Sequence, residues 1–280
     1  MKRVLNNGIE IPEFGIGTYR INSKDAENAV REALKMGYRL VDTANYYQNE
    51  RAVGRAIKAS GVDRKEIFVS SKVWVSEYNN EHIIDDMLDR LGLDYIDLVF
   101  IHEPIGNYLK AYKTLEKAYK EGKIRAIGVS NFFTKPFLKL MEKVEITPQV
   151  AQVERHPLYV KEADEEDAAF KKYNLQIMSW FPLCRYNKKI MNSEIIVNLT
   201  KKYNKTPCQI VLRWHIQRGY IPIPGSKNIE HIKENMDIFD FELTDEEVEE
   251  INKLDINKRC ERLTILSKVV CLIKHPKYDK

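Results

Sequence analysis

Val41-Asp42-Thr43-Ala44-Asn45-Tyr46-Tyr47-Gln48-Asn49-Glu50 sets a carboxylate and a phenol five positions apart, just past an apolar run. That run, Tyr38 to Val41, has the length of a short buried strand and follows a helical pattern, Asp25 to Met36, which Gly37 closes. Asn49 to Ala59 begins the next helical pattern, so Asp42 and Tyr47 fall on a strand-to-helix loop. Such loops often carry function. Taken alone, the stretch has a bland reading too, with Asp42 capping a turn and Tyr47 packing with its hydroxyl in water.

Outward from this stretch the same alternation repeats. Strand patterns at Phe14 to Thr18, Tyr38 to Val41, Ile67 to Ser71, Ile96 to Ile101, Ile124 to Val129, Gln149 to Val153, Leu175 to Ser179 and Tyr220 to Ile223 are each followed by helical periodicity, with no linker-like stretch between them. Eight such units predict an α/β chain closed into a single (β/α)8 TIM barrel. Asn7-Gly8 between two short apolar runs predicts an N-terminal β-hairpin over residues 1–13. The capping box Thr244 to Glu247 predicts an additional helix after the barrel, and 256–280 forms a C-terminal tail of the one domain.

Composition is ordinary: 280 residues, 44% apolar, 31% charged, net charge +4. The charges are interspersed along helices, which gives no argument for a nucleic-acid partner. The N-terminus lacks the apolar core of a signal peptide, and the most apolar segment, Leu263 to Ile273, is broken by Lys268 and too short to span a bilayer. Cys184, Cys208, Cys260 and Cys271 have neither metal-ligand spacing nor a disulfide framework. Free thiols, no metal site and a cytoplasmic monomer are the expectations. The acidic run Glu162 to Asp167 lies in the first turns of a helix, where it reads as a solvated face.

In a barrel of this kind the chemistry collects where strands end. The second strand ends in Asp42, the third in Lys72, the fourth in His102, the fifth in Ser130-Asn131, the sixth in Gln152 to Glu154, the seventh in Trp180, and the eighth runs into Pro224-Gly225-Ser226-Lys227. Singly, Lys72 reads as a surface ammonium, His102 as a core histidine and Trp180 as packing. Jointly, Asp42, Tyr47, Lys72 and His102 converge on one mouth. An unperturbed tyrosine is a poor proton donor at neutral pH, and a lysine ammonium beside it stabilises the phenolate. Asp42 would hold Lys72 in place, and His102 would direct an N–H at the oxygen Tyr47 addresses. This describes a site that polarises a carbonyl and protonates it as charge develops. A hydride must come from elsewhere. Asn131 and Gln152 can hold a carboxamide and Trp180 offers a stacking face, which suits nicotinamide. The loop after the eighth strand, with the helix from Glu230, suits its phosphates.

These motifs resemble the aldo-keto reductase family over nearly the whole chain. Asp42-Thr43-Ala44 with Tyr47, Ser71-Lys72-Val73-Trp74, Asp97 to His102, Gly122 to Phe132, Gln152-Val153-Glu154 with His156-Pro157, and Ser179-Trp180 with Pro182-Leu183 follow in the family's order. The resemblance is greatest to the 2,5-diketogluconate reductase-like branch. It implies NADPH- or NADH-dependent reduction of an aldehyde or ketone, with Tyr47 as proton donor, Lys72 and Asp42 tuning it and His102 orienting the carbonyl. It also implies a cofactor cradle of Ser130, Asn131, Gln152, Trp180, Phe181, Pro182, Leu183, Ser226, Lys227, His231, Glu234 and Asn235, and a small carbonyl substrate bounded by Tyr19, Trp74 and Glu103. The chain departs from the family at Glu103, which stands where Trp is usual, at Ala151 for Asn, and at Gly225 and His231 for a lysine and an arginine. The last two changes predict use of both NADH and NADPH, with Lys227 as a possible substitute cation. The rival from another class is a non-catalytic nucleotide-binding regulator of the same fold. A hydrolase using Asp42 and Glu103 as paired acids is opposed by Lys72, which would neutralise the first.

Overall fold

The structure, a computed structural model, describes residues 1–260, 270–272 and 274–279; most of the apolar segment 263–273 lies outside them. An antiparallel hairpin, β1 (Lys2–Val4) and β2 (Glu10–Pro12), precedes eight parallel strands paired in chain order: β3 (Ile16–Gly17), β4 (Leu40–Asp42), β5 (Phe68–Val73), β6 (Leu98–Ile101), β7 (Ile127–Ser130), β8 (Val150–Glu154), β9 (Gln176–Trp180) and β10 (Tyr220–Pro222). The first and last meet: Gly15 N–H donates to the Pro222 carbonyl and Gly17 N–H to that of Pro224, each at 3.2 Å. The seam is tight because it is built on glycine. A Cβ on Gly17 would lie 2.8 Å from the Ile223 carbonyl oxygen, and one on Gly225 would lie 2.8 Å from that of Gly17.

Helices α1 (Ser23–Lys35), α2 (Glu50–Ala59), α3 (Ile83–Leu91), α4 (Tyr108–Lys120), α5 (Thr134–Met141), α6 (Lys161–Lys171), α8 (Glu194–Tyr203), α9 (Pro207–Gln217) and α10 (Ile229–Met236) bury one apolar face each against the barrel. Two more were unevenly legible: α11 (Asp245–Asn252) begins at the expected capping box, whereas the four-residue α7 (Lys188–Met191) carries no periodicity to read. Inside the barrel, Leu40, Phe68, Leu98, Phe100, Val150, Met178 and Ile221 fill the lumen, joined by Leu5 and Ile11 of the hairpin. Asn6 Nδ2 donates to Pro148 O at 3.0 Å, just before β8 begins, so the hairpin plugs the end where strands start and the chemistry is left to the other end.

Two expectations need correction. Cys184 and Cys260, 76 residues apart, are joined by a disulfide, while Cys208 and Cys271 are free. Their separation carries no signal because only barrel closure brings the loop after β9 beside the tail. The acidic run is not all solvated. Glu166 and Asp167 are buried, Asp167 Oδ1 accepting from Arg155 Nη2 at 2.5 Å and Oδ2 from the Tyr220 hydroxyl at 2.7 Å. His156 stands beside the Cys184–Cys260 disulfide, its ring nitrogen and the two sulfurs lying within 4.8 Å of one another. No helix among the described residues is long and apolar enough to cross a membrane.

Candidate active site

Asp42 and Lys72 belong to the strands themselves rather than to the loops beyond them. Parallel pairing sets Asp42 opposite Ser70, which places Lys72 beyond it on the same barrel wall. The Lys72 ammonium is fully buried and donates to Asp42 Oδ2 at 2.6 Å and to the Thr43 carbonyl at 2.8 Å. The other carboxylate oxygen accepts from Ser70 Oγ at 2.7 Å and Gln152 Nε2 at 2.9 Å. Burial drives the Lys72 pKa down and the Asp42 charge opposes the fall, so the ammonium is held by its partners rather than by water.

Tyr47 ends a 3-10 turn, Asn45–Tyr47, that Gln48 closes in the left-handed conformation at φ 62°. Its ring centroid lies 4.8 Å from Lys72 Nζ and 5.8 Å from the ring of His102, which it meets edge-on at 77°. His102 follows β6 directly, and Trp74 packs against it with centroids 4.9 Å apart. Burial first, then the Lys72 charge, pushes the His102 pKa well below the usual histidine value. The imidazole is therefore neutral at pH 7 and offers a single N–H. Its Nδ1 has no hydrogen-bond partner among the described residues.

Asp42, Tyr47 and His102 line a cavity of about 910 Å³, with Lys72 buried behind them. Tyr19, Trp74 and Glu103 line it, as do Ser130, Asn131, Gln152 and the run Trp180 to Leu183. Asn131 is engaged at both ends of its amide, Oδ1 accepting from Trp180 Nε1 at 3.0 Å and Nδ2 donating to Glu103 Oε1 at 2.7 Å. The Glu103 carboxylate, 6% exposed, thus sits in the wall rather than in solvent. Beyond Trp180 the chain is held in unusual backbone geometry, with Phe181, Cys184, Arg185 and Tyr186 all at φ between 44° and 57°. Each non-glycine residue there costs on the order of 1–3 kcal/mol, so surrounding contacts must hold the loop. His215 of α9 supplies one, its Nε2 donating to the Pro182 carbonyl at 3.0 Å.

At the far end Ser226, His231, Glu234 and Asn235 line the cavity, but Lys227 does not. Its side chain is 73% exposed, with Nζ 3.7 Å from Asp25, so this alternative cation is turned toward Asp25 and not into the cavity. Tyr46, Arg185 and the start of α9, Thr206 to Cys208, also line the space. Thr206 and Gln209 form a capping box that is readable in the sequence, although which helix ends face the cavity is not. A flat aromatic wall, two carboxamides on the floor and the N-terminal turns of α9 and α10 at the far end suit an elongated anionic dinucleotide.

A model of the aldo/keto reductase family matches residues 12–256. The chain belongs to the aldo/keto reductase family. Among its relatives, the glyoxal reductase of Bacillus subtilis (strain 168) is 41% identical over 91% of this chain and 93% of that protein. The methylglyoxal reductase DkgA of Escherichia coli O157:H7 is 38% identical over 91% of this chain and 94% of that protein. The solved structure of a Bombyx mori aldo-keto reductase in complex with NADP superposes with a TM-score of 0.88 at 32% identity, covering 100% of this chain and 99% of that one. This aldo-keto reductase is accordingly an NAD(P)H-dependent enzyme that reduces an aldehyde or ketone to an alcohol.

Proposed function

We propose that Tyr47 is the proton donor of the reduction and that Lys72, Asp42 and His102 act with it. The observation that carries this reading is the buried Lys72–Asp42 pair lying against the Tyr47 ring, with a neutral His102 at the same mouth. A bound reduced nicotinamide supplies the hydride. With the second lone pair of Asn131 Oδ1 and the second N–H of its Nδ2, Asn131 would hold the carboxamide together with Gln152, Trp180 would stack on the ring, and the loop from Ser226 with His231 and Asn235 would hold the phosphate end. As negative charge grows on the carbonyl oxygen, the His102 N–H donates a hydrogen bond to it and the Tyr47 hydroxyl gives up its proton. Lys72, clamped by Asp42, stabilises the phenolate left behind.

The substrate class that fits is a small, neutral aldehyde or α-dicarbonyl. Relatives named for glyoxal and methylglyoxal support it, as does Glu103 in the wall, which disfavours anions. The chain works as one barrel domain, as a monomer, in the cytoplasm, where reduced nicotinamide is regenerated. The test is a panel of glyoxal, methylglyoxal, a simple aldehyde and a keto acid with NADPH or NADH, followed by loss of nicotinamide absorbance. Turnover of the dicarbonyls above the keto acid is expected, and turnover of the keto acid alone would overturn the substrate class. Light scattering at one chain mass checks the monomer.

A further inference from the structure

Away from the reduction site, three distant segments meet at sulfur. His156 follows β8, Cys184 lies in the left-handed loop after β9, and Cys260 stands at the start of the tail. The disulfide fastens that tail to the loop whose preceding residues, Phe181 to Leu183, form the cavity wall. The two sulfurs are unequal. Cys184 is 3% exposed, whereas Cys260 is open to solvent.

Each sulfur also faces an N–H donor. Asn187 Nδ2 lies 3.8 Å from Cys184 Sγ, and His156 Nε2 lies 3.4 Å from Cys260 Sγ. Because His156 Nδ1 accepts from the Leu158 N–H at 3.3 Å, the neutral ring carries its proton on Nε2, between Cys260 and Glu154 Oε1 at 2.9 Å. Glu154 Oε1 also accepts from the Cys260 N–H. Donors aimed at sulfur lower the cost of a thiolate and so favour exchange.

We propose that Cys184 and Cys260 form a reversible thiol–disulfide site for low-molecular-weight thiols and disulfides, and that the closed form tightens cofactor binding by fixing the loop. In the closing direction the exposed Cys260 thiolate attacks one sulfur of a small disulfide RSSR, forming Cys260–S–S–R and releasing RS⁻. The Cys184 thiolate then attacks Cys260 Sγ, forming the protein disulfide and releasing the second RS⁻. Two protein thiols are oxidised and one small disulfide is reduced to two thiols, the two RS⁻ groups taking up the two protons that the protein thiols gave up. Opening is the reverse, beginning with attack of a small thiolate at Cys260. In the open form the His156 Nε2–H holds the Cys260 thiolate and Asn187 that of Cys184. The left-handed turn from Cys184 to Tyr186 then loses one of its restraints.

The whole protein would be equilibrated with mixtures of reduced and oxidised glutathione, quenched with N-ethylmaleimide and mapped by peptide mass spectrometry, with NADPH affinity read by tryptophan fluorescence. A Cys184–Cys260 peptide pair should form and vanish reversibly, and opening should weaken NADPH binding by about threefold or more, because a pre-organised loop loses less freedom on binding. Cys260→Ser should bind as the open wild type does in every mixture. In the reduced protein Cys260 should alkylate before Cys184, and His156→Gln should slow closing. If that variant does not fold, the alkylation order still decides the route. The proposal is overturned if no crosslink forms, if it forms without changing NADPH affinity, if Cys184 alkylates first, or if the protein as purified holds stoichiometric zinc on these thiols. None of these readings depends on carbonyl turnover, so a failure here is distinguishable from a failure of the proposed reduction chemistry.

Discussion

Lys72 is a cation without water, and its worth to the site lies in what surrounds it. Asp42 and the Thr43 carbonyl take two of its N–H groups, and the Tyr47 ring lies alongside. Tyr47→Phe should leave NADPH binding unchanged and lower kcat/KM by about a hundredfold or more, since only the acid is removed; near wild-type turnover would mean that another group donates the proton. Lys72→Met should lose activity similarly and also cost roughly 3 kcal/mol in denaturant unfolding, because the Asp42 carboxylate stays buried without its cation. Glu103 gives a second expectation. With its carboxylate in the wall against Asn131, Glu103→Gln should improve the ratio of keto-acid to neutral-aldehyde kcat/KM. An unchanged ratio in steady-state kinetics would remove Glu103 from substrate choice. At this scale the residue types were legible, because strand ends in a barrel converge wherever the strands lie. The bonds of the Asn131 amide to Trp180 and Glu103 were not, since three separate segments must be placed before those partners meet.

Elements decide how the cofactor is held. The loop after β10 cannot carry a lysine at Gly225 without driving a side chain into the Gly17 carbonyl, 2.8 Å from where its Cβ would stand. Lys227 points to Asp25 instead. Losing a charge-assisted contact to the 2′-phosphate removes about 1.5–3 kcal/mol of discrimination, so kcat/KM for NADH and NADPH should differ by less than about a hundredfold. A larger preference for NADPH would point to Arg185, which lines the cavity and was missed in the sequence. Helix α9 contributes a pH dependence. Burial lowers the pKa of His215 to about 3 from 6.5, so the unfolded chain takes up a proton that the folded one refuses. The neutral ring's contribution to stability is complete above about pH 6.5 and declines as the pH falls toward 3, by up to about 1.4 kcal/mol per pH unit. Thermal unfolding between pH 7 and 5 should show this fall, and His215→Gln should reduce it, leaving the share of the similarly buried His102; an equal slope in both proteins would assign it to other groups. Helix and strand periods were legible at this scale because each is a local pattern, whereas α7 was too short to show one.

Across the whole molecule, residues 274–279 fold back on α2, on Arg90 of α3 and on Trp74. Asp279 accepts from the N–H groups of Arg51 at 3.3 Å and Ala52 at 3.0 Å, capping α2, while Asn49 in the cap position makes no side-chain capping bond. Tyr278 lies under Arg90 with 4.0 Å between guanidinium and ring, and Trp74 Nε1 donates to the Lys274 carbonyl at 3.0 Å. Asp279→Ala should therefore cost about 1 kcal/mol, as the loss of a helix cap does. A thermal unfolding curve identical to wild type would show the tail to be bound by its other contacts alone. The sequence by itself determined the alternation of strand and helix, the closure into one barrel and the types of residue at its mouth. These depend on periodicity and on chain order, and both can be read along one dimension. Tertiary structure alone decided that Cys184 meets Cys260, that Asp279 caps a helix far earlier in the chain, that Asp167 is buried on Arg155, and that Lys227 turns away from the cavity. Each of those outcomes pairs groups that are distant in sequence, and the pairing is set by burial and by the geometry of closure, which no local pattern encodes.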